Sequence, residues 1–411
     1  MQVKIDNLDH YGRGVVHNGK TIFVENALPE ELVEINIKEE KKNYSCATST
    51  TIIKKSVDRI IPECEYYFVC GGCDMLHITR KKELEFKQNK IYEILKKFTN
   101  EEIKVNNIVY TDERFNYRNK ITLHVNNDIG YYEKKSKDII PICKCMLVDQ
   151  KINDLLLYIK TSIDYKNIKE IVIRKSKYTS DEMIIINITD SINEQDIINK
   201  LKNKVSSIIV KQNNEYKTIY GNGYIKDKMG DYTYLISKDS FFQVNTTCAI
   251  KLYDIIKKYA SLSGNEKVLD LYCGTGTIGI YLSKDASYIL GIEINENAIE
   301  NANKNKEINN ISNIDFICGR SENEVSNIKE YFDVIIVDPP RKGLDSNTIE
   351  YLKKSKAKKI IYVSCDPVTL ARDLNSLKDT YNICEVTPVD MFSCTYHVEC
   401  VSVLCRKTLI R

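Results

Sequence analysis

Lys267-Val-Leu-Asp270-Leu-Tyr272-Cys-Gly274-Thr-Gly276-Thr-Ile-Gly279-Ile280 is the stretch whose reading decides the fold. Lys267–Leu271 reads as an apolar strand, and Thr277–Ser283 reads as a helix. Between them, Gly274 and Gly276 allow a sharp turn and a close backbone approach to a ligand at the helix N-terminus. Outward from this turn, Tyr288–Ile292, Phe332–Val337 and Lys359–Val363 read as further strands, with a helix over Asn295–Lys306. Strand and helix alternating over this length predict a doubly wound α/β domain with a mostly parallel sheet over residues 237–411.

The ligand follows from the charges at the strand ends. Gly274-x-Gly276-x-x-Gly279 has dinucleotide spacing, so NAD or a mere packing turn are alternatives. Asp270, however, opens the turn with a negative charge that would repel a pyrophosphate. Glu293 ends the next strand, and Asp338-Pro339-Pro340 ends a third. Three carboxylates at the carboxyl ends of strands suit a cationic, ribose-bearing ligand. S-adenosylmethionine is such a ligand, with Glu293 facing the ribose hydroxyls and Asp270 and Asp338 near the sulfonium and methionine part.

The buried strand Lys359–Val363 runs into Ser364-Cys365-Asp-Pro. A cysteine at that edge of the sheet is where a nucleophile would be presented. Alone, it reads as well as a core thiol. Glu399 enters the last apolar strand, where a buried carboxylate without a role is costly. Together the two fit one problem, methylation of carbon 5 of uracil. A thiolate adding at carbon 6 makes carbon 5 nucleophilic, and a base must later remove the carbon 5 proton. The target base must leave its stack to be reached.

The rest of the chain bounds the setting. It has 411 residues, 43% of them hydrophobic, and a formal net charge of +3, which gives no support for a diffuse basic clamp on nucleic acid. No apolar run is long enough to span a membrane and the N-terminus lacks an apolar leader core, so a cytoplasmic protein is expected. Residues 1–57 read as short strands punctuated by Gly12, Gly14 and Asn18-Gly19, closing as a small OB-like β-barrel. Residues 58–236 read as a strand-rich α+β central domain, with a helix over 80–98 carrying Leu84, Ile91, Ile94 and Leu95. Fourteen cysteines in a chain of this kind point to thiols, metal ligands or catalysts rather than disulfides. Cys64, Cys70 and Cys73 with Cys143 or Cys145 could hold iron–sulfur or zinc. Cys46, Cys248, Cys318, Cys384 and Cys405 read as isolated structural thiols.

Asp338-Pro-Pro-Arg-Lys-Gly343 and Ser364-Cys-Asp-Pro-Val-Thr-Leu-Ala-Arg372 resemble motifs of the RNA 5-methyluridine methyltransferases. The resemblance extends over essentially the whole chain, to the branch with an N-terminal TRAM domain and an iron–sulfur cluster that modifies 23S rRNA. Leu8-Asp-His-Tyr-Gly-Arg-Gly14 and Val24-Glu-Asn-Ala-Leu-Pro29 are similar to TRAM signatures, Tyr117-Arg-Asn-Lys120 to a central-domain motif, and Phe241-Phe-Gln-Val-Asn245 to the stretch before the cofactor domain. The resemblance implies a Rossmann-like methyltransferase domain with Cys365 as nucleophile and Glu399 as base. It implies cofactor contacts from Gln243, Tyr272, Glu293 and Asp338, beside Asp270 and Gly274. It also implies a [4Fe–4S] cluster on Cys64, Cys70, Cys73 and Cys145, with zinc as the alternative metal. A monomer acting on 23S rRNA is expected, with the T-loop uridine of tRNA as the alternative substrate. The chain departs from the family at Ser393-Cys394, where relatives usually show a proline first.

Other classes fit less well. An amino-group methyltransferase would carry an aromatic after Asp-Pro-Pro, where this chain has Arg341. An RNA 5-methylcytidine enzyme would use a Thr-Cys nucleophile motif and a second cysteine in the Asp-Pro-Pro turn, and this chain has neither. A non-catalytic iron–sulfur RNA-binding protein would not need Cys365 and Glu399 together.

Overall fold

The computed structural model describes residues 1–99 and 102–407. Residues 408–411 of the expected C-terminal unit and 100–101 of the central one lie outside the described residues. The N-terminal strands are β1 (Gln2–Lys4), β2 (Asn7–Leu8), β3 (Gly14–Asn18), β4 (Lys20–Glu25), β5 (Leu32–Glu40) and β6 (Tyr44–Lys54), in the order β1-β5-β6-β4-β3-β2. β1 and β2 are opposite edges of that sheet, yet only Ile5 and Asp6 separate them. The sheet must therefore curl until its edges meet. Ile5 donates to the Glu31 carbonyl on the β1 side and Asp6 to the Val15 carbonyl on the β2 side, each at 2.9 Å. The inside is filled by Val3, Ile5, Val24, Val33 and Ile35.

A long helix, α1 (Arg80–Thr99), follows the first cysteines. The second sheet uses β7 (Lys120–Val125), β8 (Ile129–Tyr132), β9 (Ile139–Pro141), β10 (Ile168–Lys175), β11 (Glu182–Ile188), β12 (Ser207–Gln212) and β13 (Glu215–Tyr220), ordered β13-β12-β11-β10-β7-β8-β9. α2 (Gln150–Ser162) and α3 (Glu194–Leu201) cover one face. Strand alternation explains why the other face is apolar too. Ile184 and Ile186 meet the helices, while Met183 and Ile185 point oppositely into the core of the C-terminal unit.

The hairpin β14 (Tyr224–Met229) and β15 (Tyr232–Ser237) leads into that unit and packs in its core, and α4 (Thr246–Ala260) follows. There follow β16 (Lys267–Leu271), α5 (Thr277–Leu282), β17 (Tyr288–Glu293), α6 (Glu296–Ile308), β18 (Ile314–Cys318), α7 (Ser321–Glu324), β19 (Val334–Val337), α8 (Ser346–Lys354), β20 (Lys359–Ser364), α9 (Pro367–Leu377), β21 (Tyr381–Val389) and β22 (Glu399–Arg406). The sheet order is β18-β17-β16-β19-β20-β22-β21, parallel as far as β20 and antiparallel beyond it. Strand order reverses at β16, so a crevice opens between β16 and β19 at their carboxyl ends.

Packing links the expected units closely. α1 lies inside the range 58–236, yet Ile91, Ile94 and Leu95 are buried in the core of the C-terminal unit with Leu370, Leu374 and Leu377 of α9. The same helix carries a wholly buried ammonium. Lys87 Nζ donates to Glu83 Oε1 (3.0 Å), to the Phe392 carbonyl (3.0 Å) and to Asp390 Oδ1. Arg80 bonds the other oxygen of Asp390 at 2.5 Å. Among the described residues, no helix is long and apolar enough to cross a membrane.

Candidate active site

β20 hands the chain to α9 through Ser364-Cys365-Asp366. Asp366 caps the helix, accepting from the backbone N–H of Val368 (2.9 Å) and Thr369 (3.1 Å), and Pro367 occupies its first turn. Ser364 Oγ accepts the Asp366 N–H at 3.1 Å and donates back to the Asp366 carbonyl at 2.9 Å. Cys365 is therefore held half-buried on a locked turn.

Strand pairing supplies its partner. β20 and β22 run antiparallel with Val363 opposite Val401 and Ser364 opposite Cys400. The ladder ends there, so Cys365 and Glu399 are the residues immediately flanking its last pair. Glu399 is buried, and burial, followed by the charge of Asp338, pushes its carboxyl up to about 8, with Arg341 pulling the other way. Burial alone raises Asp338 to about 7. The Cys365 thiol is pushed up to about 11 by burial, then by Glu399 and Asp338, again against Arg341. Arg341 is exposed and makes no ion pair or hydrogen bond with a described residue, so it is free for a substrate anion.

The Asp338–Gly343 turn and α9 are physically joined. Arg372 donates to the carbonyls of Lys342 (2.9 Å) and Leu344 (3.3 Å). Asp373 accepts the Leu344 N–H at 2.8 Å and the Tyr362 hydroxyl at 2.7 Å. Gly343 has φ +76°, and a Cβ there would lie 2.5 Å from Arg372 and 2.6 Å from Asp373.

The crevice at β16 gathers the other acidic residues. Asp270 is fully buried, and burial, followed by the charge of Asp338, raises its carboxyl to about 8. Its Oδ2 accepts the Gly279 N–H at 3.2 Å, while Oδ1 has no partner. Glu293 accepts the N–H of Gly274 (3.2 Å) and of Asn295 (2.9 Å), so one carboxylate ties the glycine turn to the end of β17. Gly274 is left-handed at φ +55° with open space where a Cβ would sit, so its backbone is approachable. Tyr272 is also left-handed, φ 63°, and its hydroxyl faces Asp345 and Thr348 at 3.3 Å each. Gln243 is half-buried, and its backbone carbonyl accepts from Asn119 at 2.9 Å. Open backbone at a glycine turn and an orphaned buried carboxylate oxygen, with Glu293 and Asp338 on neighbouring strand ends, can hold a cationic ligand with a diol.

A third feature lies apart. Cys64, Cys70, Cys73 and Cys145 line one cavity of about 50 Å³ together with Tyr67, Leu76, Arg118 and Tyr131. Cys143 is exposed and does not line it. Among the described residues, no three His, Cys, Asp or Glu side chains are drawn together as a single ion would require. The loop after Cys73 reaches the active site, since the N–H groups of Asp74 and Met75 both donate to the Cys394 carbonyl at 3.0 Å.

Sequence reasoning used Arg341 only to exclude another class and passed over Lys90. Both stand at the site. Lys90 donates to the Tyr396 carbonyl at 3.1 Å, and burial lowers its ammonium to about 8. A cation following Asp-Pro-Pro was a visible signal. Lys90 gave none, because only the docking of α1 brings it there.

Comparisons with known proteins identify the family. The family described as tRNA (Uracil-5-)-methyltransferase matches residues 79–407. An uncharacterized RNA methyltransferase of Clostridium acetobutylicum is 36% identical over 98% of this chain and 96% of its own length. One from Staphylococcus epidermidis is 34% identical over 98% and 97%. Among solved structures, the Pyrococcus abyssi tRNA (uracil-54, C5)-methyltransferase in complex with S-adenosyl-L-homocysteine superposes with a TM-score of 0.83 at 30% identity, covering 98% of this chain and 100% of that one. The chain belongs to the tRNA (uracil-5-)-methyltransferase family of RNA methyltransferases.

Proposed function

We propose that this chain methylates carbon 5 of a uridine in RNA, with S-adenosylmethionine as donor, Cys365 as nucleophile and Glu399 as base. The observation that supports the reading is that the Cys365 thiol feels the charges of both Glu399 and Asp338, next to the last β20–β22 pair, Ser364 with Cys400. S-adenosylmethionine supplies a methyl group on a cationic sulfur. Glu293 would accept the ribose hydroxyls, Gly274 and Tyr272 would flank the turn, Gln243 would close one side, and Asp270 and Asp338 would face the positive end. Cys365 adds through sulfur to carbon 6 of the flipped uracil, and carbon 5 then takes the methyl group. Glu399 removes the carbon 5 proton, carbon 5 to carbon 6 unsaturation returns, and the thiolate leaves.

Glu399 works as a carboxylate and Cys365 as a thiolate, so kcat/KM should climb with pH through about 8 and keep rising toward about 11. The acidic groups there interact, so the profile reports the set rather than one residue. Activity that is flat between about pH 6 and 9 would remove Glu399 as the base. Glu293→Ala should weaken S-adenosylmethionine binding by roughly 10- to 150-fold, the loss of a charged acceptor worth about 1.5–3 kcal/mol. Unchanged affinity by calorimetry refutes that contact.

The curled sheet of residues 1–57 is the proposed TRAM-type RNA-binding barrel, with 58–236 as a second RNA-contacting unit and 237–411 as the catalytic one. The thiols of Cys64, Cys70, Cys73 and Cys145 would hold a [4Fe–4S] cluster. Four cysteines lining one cavity are the kind of thiolate set such a cluster takes, with zinc as the alternative metal. Anaerobically purified protein should contain iron and lose it when any of the four becomes alanine, while Cys143→Ala keeps it. Stoichiometric zinc without iron, or iron loss with Cys143→Ala, overturns this assignment.

For the substrate we propose 23S rRNA, on the resemblance of the N-terminal motifs and the cysteine set. The full-length likeness to an archaeal tRNA (uracil-54, C5)-methyltransferase favours a second reading, the T-loop uridine of tRNA. Nucleoside mapping of rRNA and tRNA from cells with and without the protein decides between them. Loss of 5-methyluridine from tRNA alone would sink the rRNA reading, and loss from neither would sink the function.

A further inference from the structure

The loop between β2 and β3 stands beside the active site and carries an aromatic ring that the fold does not bury. Asp9 Oδ1 accepts the N–H of Tyr11 and of Arg13, each at 2.9 Å, and Asp9 also holds the Arg13 guanidinium at 2.6–2.7 Å. Gly12 has φ +76°, and a Cβ added there would lie 3.6 Å from the Met75 side chain. The loop is therefore rigid, yet Tyr11 is 57% exposed. Its ring meets that of Tyr396 edge to face, with centroids 5.4 Å apart and planes at 82°. Tyr396 in turn lies 4.2 Å from the His397 ring and 5.1 Å from the Lys90 ammonium. Its hydroxyl also feels the charges of Arg341 and Asp366, which flank the nucleophile's turn.

We infer that Tyr11, braced edge to face by Tyr396, is the ledge on which the unpaired base next to the reacting uridine stacks, its phosphate facing Lys90 and Arg341. The inference rests on the proposed action on RNA. A uridine swung out of its stack leaves its neighbour without a partner, and aromatic rings beside cations are how proteins hold such bases. A ring already fixed by its loop loses little freedom on contact. Arg13 is neutralised by Asp9 and lies 5.3 Å from the Tyr11 ring centre, while Lys90 stands 5.1 Å from the Tyr396 ring centre. The ledge comes from the N-terminal sheet and its brace from the catalytic loop, so the braced ring exists only where the two meet.

The test compares wild type, Tyr11→Ala and Tyr11→Phe on two fluorescein-labelled probes: oligouridine, and an abasic ribose–phosphate oligomer of the same length. Calorimetry with S-adenosylhomocysteine checks that each variant is folded. Tyr11→Ala should bind oligouridine roughly 5- to 150-fold more weakly, the range for one base–aromatic stack. Tyr11→Phe should match wild type, and all three should bind the abasic oligomer alike. Equal oligouridine binding by Tyr11→Ala, an equal loss on the abasic oligomer, or no oligouridine binding by wild type overturns the ledge. An enzyme that methylates no uridine but shows the expected binding pattern would fail the proposed reaction and leave the ledge standing.

Discussion

Cys365→Ala should abolish methylation, a loss on the order of 10⁴-fold or more, because carbon 5 is never activated without the thiol. It should form no covalent link to RNA. Glu399→Gln should fail differently. Addition of Cys365 and methyl transfer precede the step that needs the base, so the methylated adduct should accumulate and survive denaturing electrophoresis. RNA containing 5-fluorouridine should trap the wild-type enzyme in the same way, since fluorine cannot leave as a cation. Residual turnover by Cys365→Ala, or an active enzyme that gives no adduct with 5-fluorouridine RNA, would end the covalent mechanism.

Lys87→Met should be the most destabilising single change that leaves the reacting residues intact. The methionine keeps most of the stem but strands Asp390 and Glu83, both buried, with Arg80 as the closest remaining cation. Removing one partner of a buried ion pair typically costs about 3–5 kcal/mol. Lys217→Met, at the exposed pair with Glu194, should cost under about 1 kcal/mol. Denaturant unfolding of the two variants measures the contrast. Equal stabilities would mean that water reaches the Lys87 site.

How much of this was legible depended on whether the signal was local. β16, β17 and β20 read clearly, because β-branched apolar runs end in glycine or acidic residues. Expected and observed limits there differ by at most one residue. Cys365 and Glu399 were readable as types at strand ends, and their proximity followed once both strands were placed. α2 and α4 were missed: α2 opens with an Asp149 cap but sits among strand-like runs, and Thr246–Ala260 mixes lysines and tyrosines with its apolar residues. The allegiance of α1 could not be read at all. Its apolar stripe says only that something covers it, and the cover comes from α9, far along the chain. The shared cavity of Cys73 and Cys145 is non-local in the same way, and there family resemblance, not spacing, chose Cys145 over Cys143.

The buried contact of Lys87 with Asp390 joins residues 303 positions apart. On the ribosome, at about 5–20 residues per second, α1 would wait roughly 15–60 seconds for the segment that covers it. Throughout that interval Ile91, Ile94 and Leu95 have no cover, and an ammonium destined for the interior remains in water. The nascent N-terminal half is thus a natural client for chaperones. Premature termination before β21 would leave a fragment that proteases clear rather than a smaller working protein.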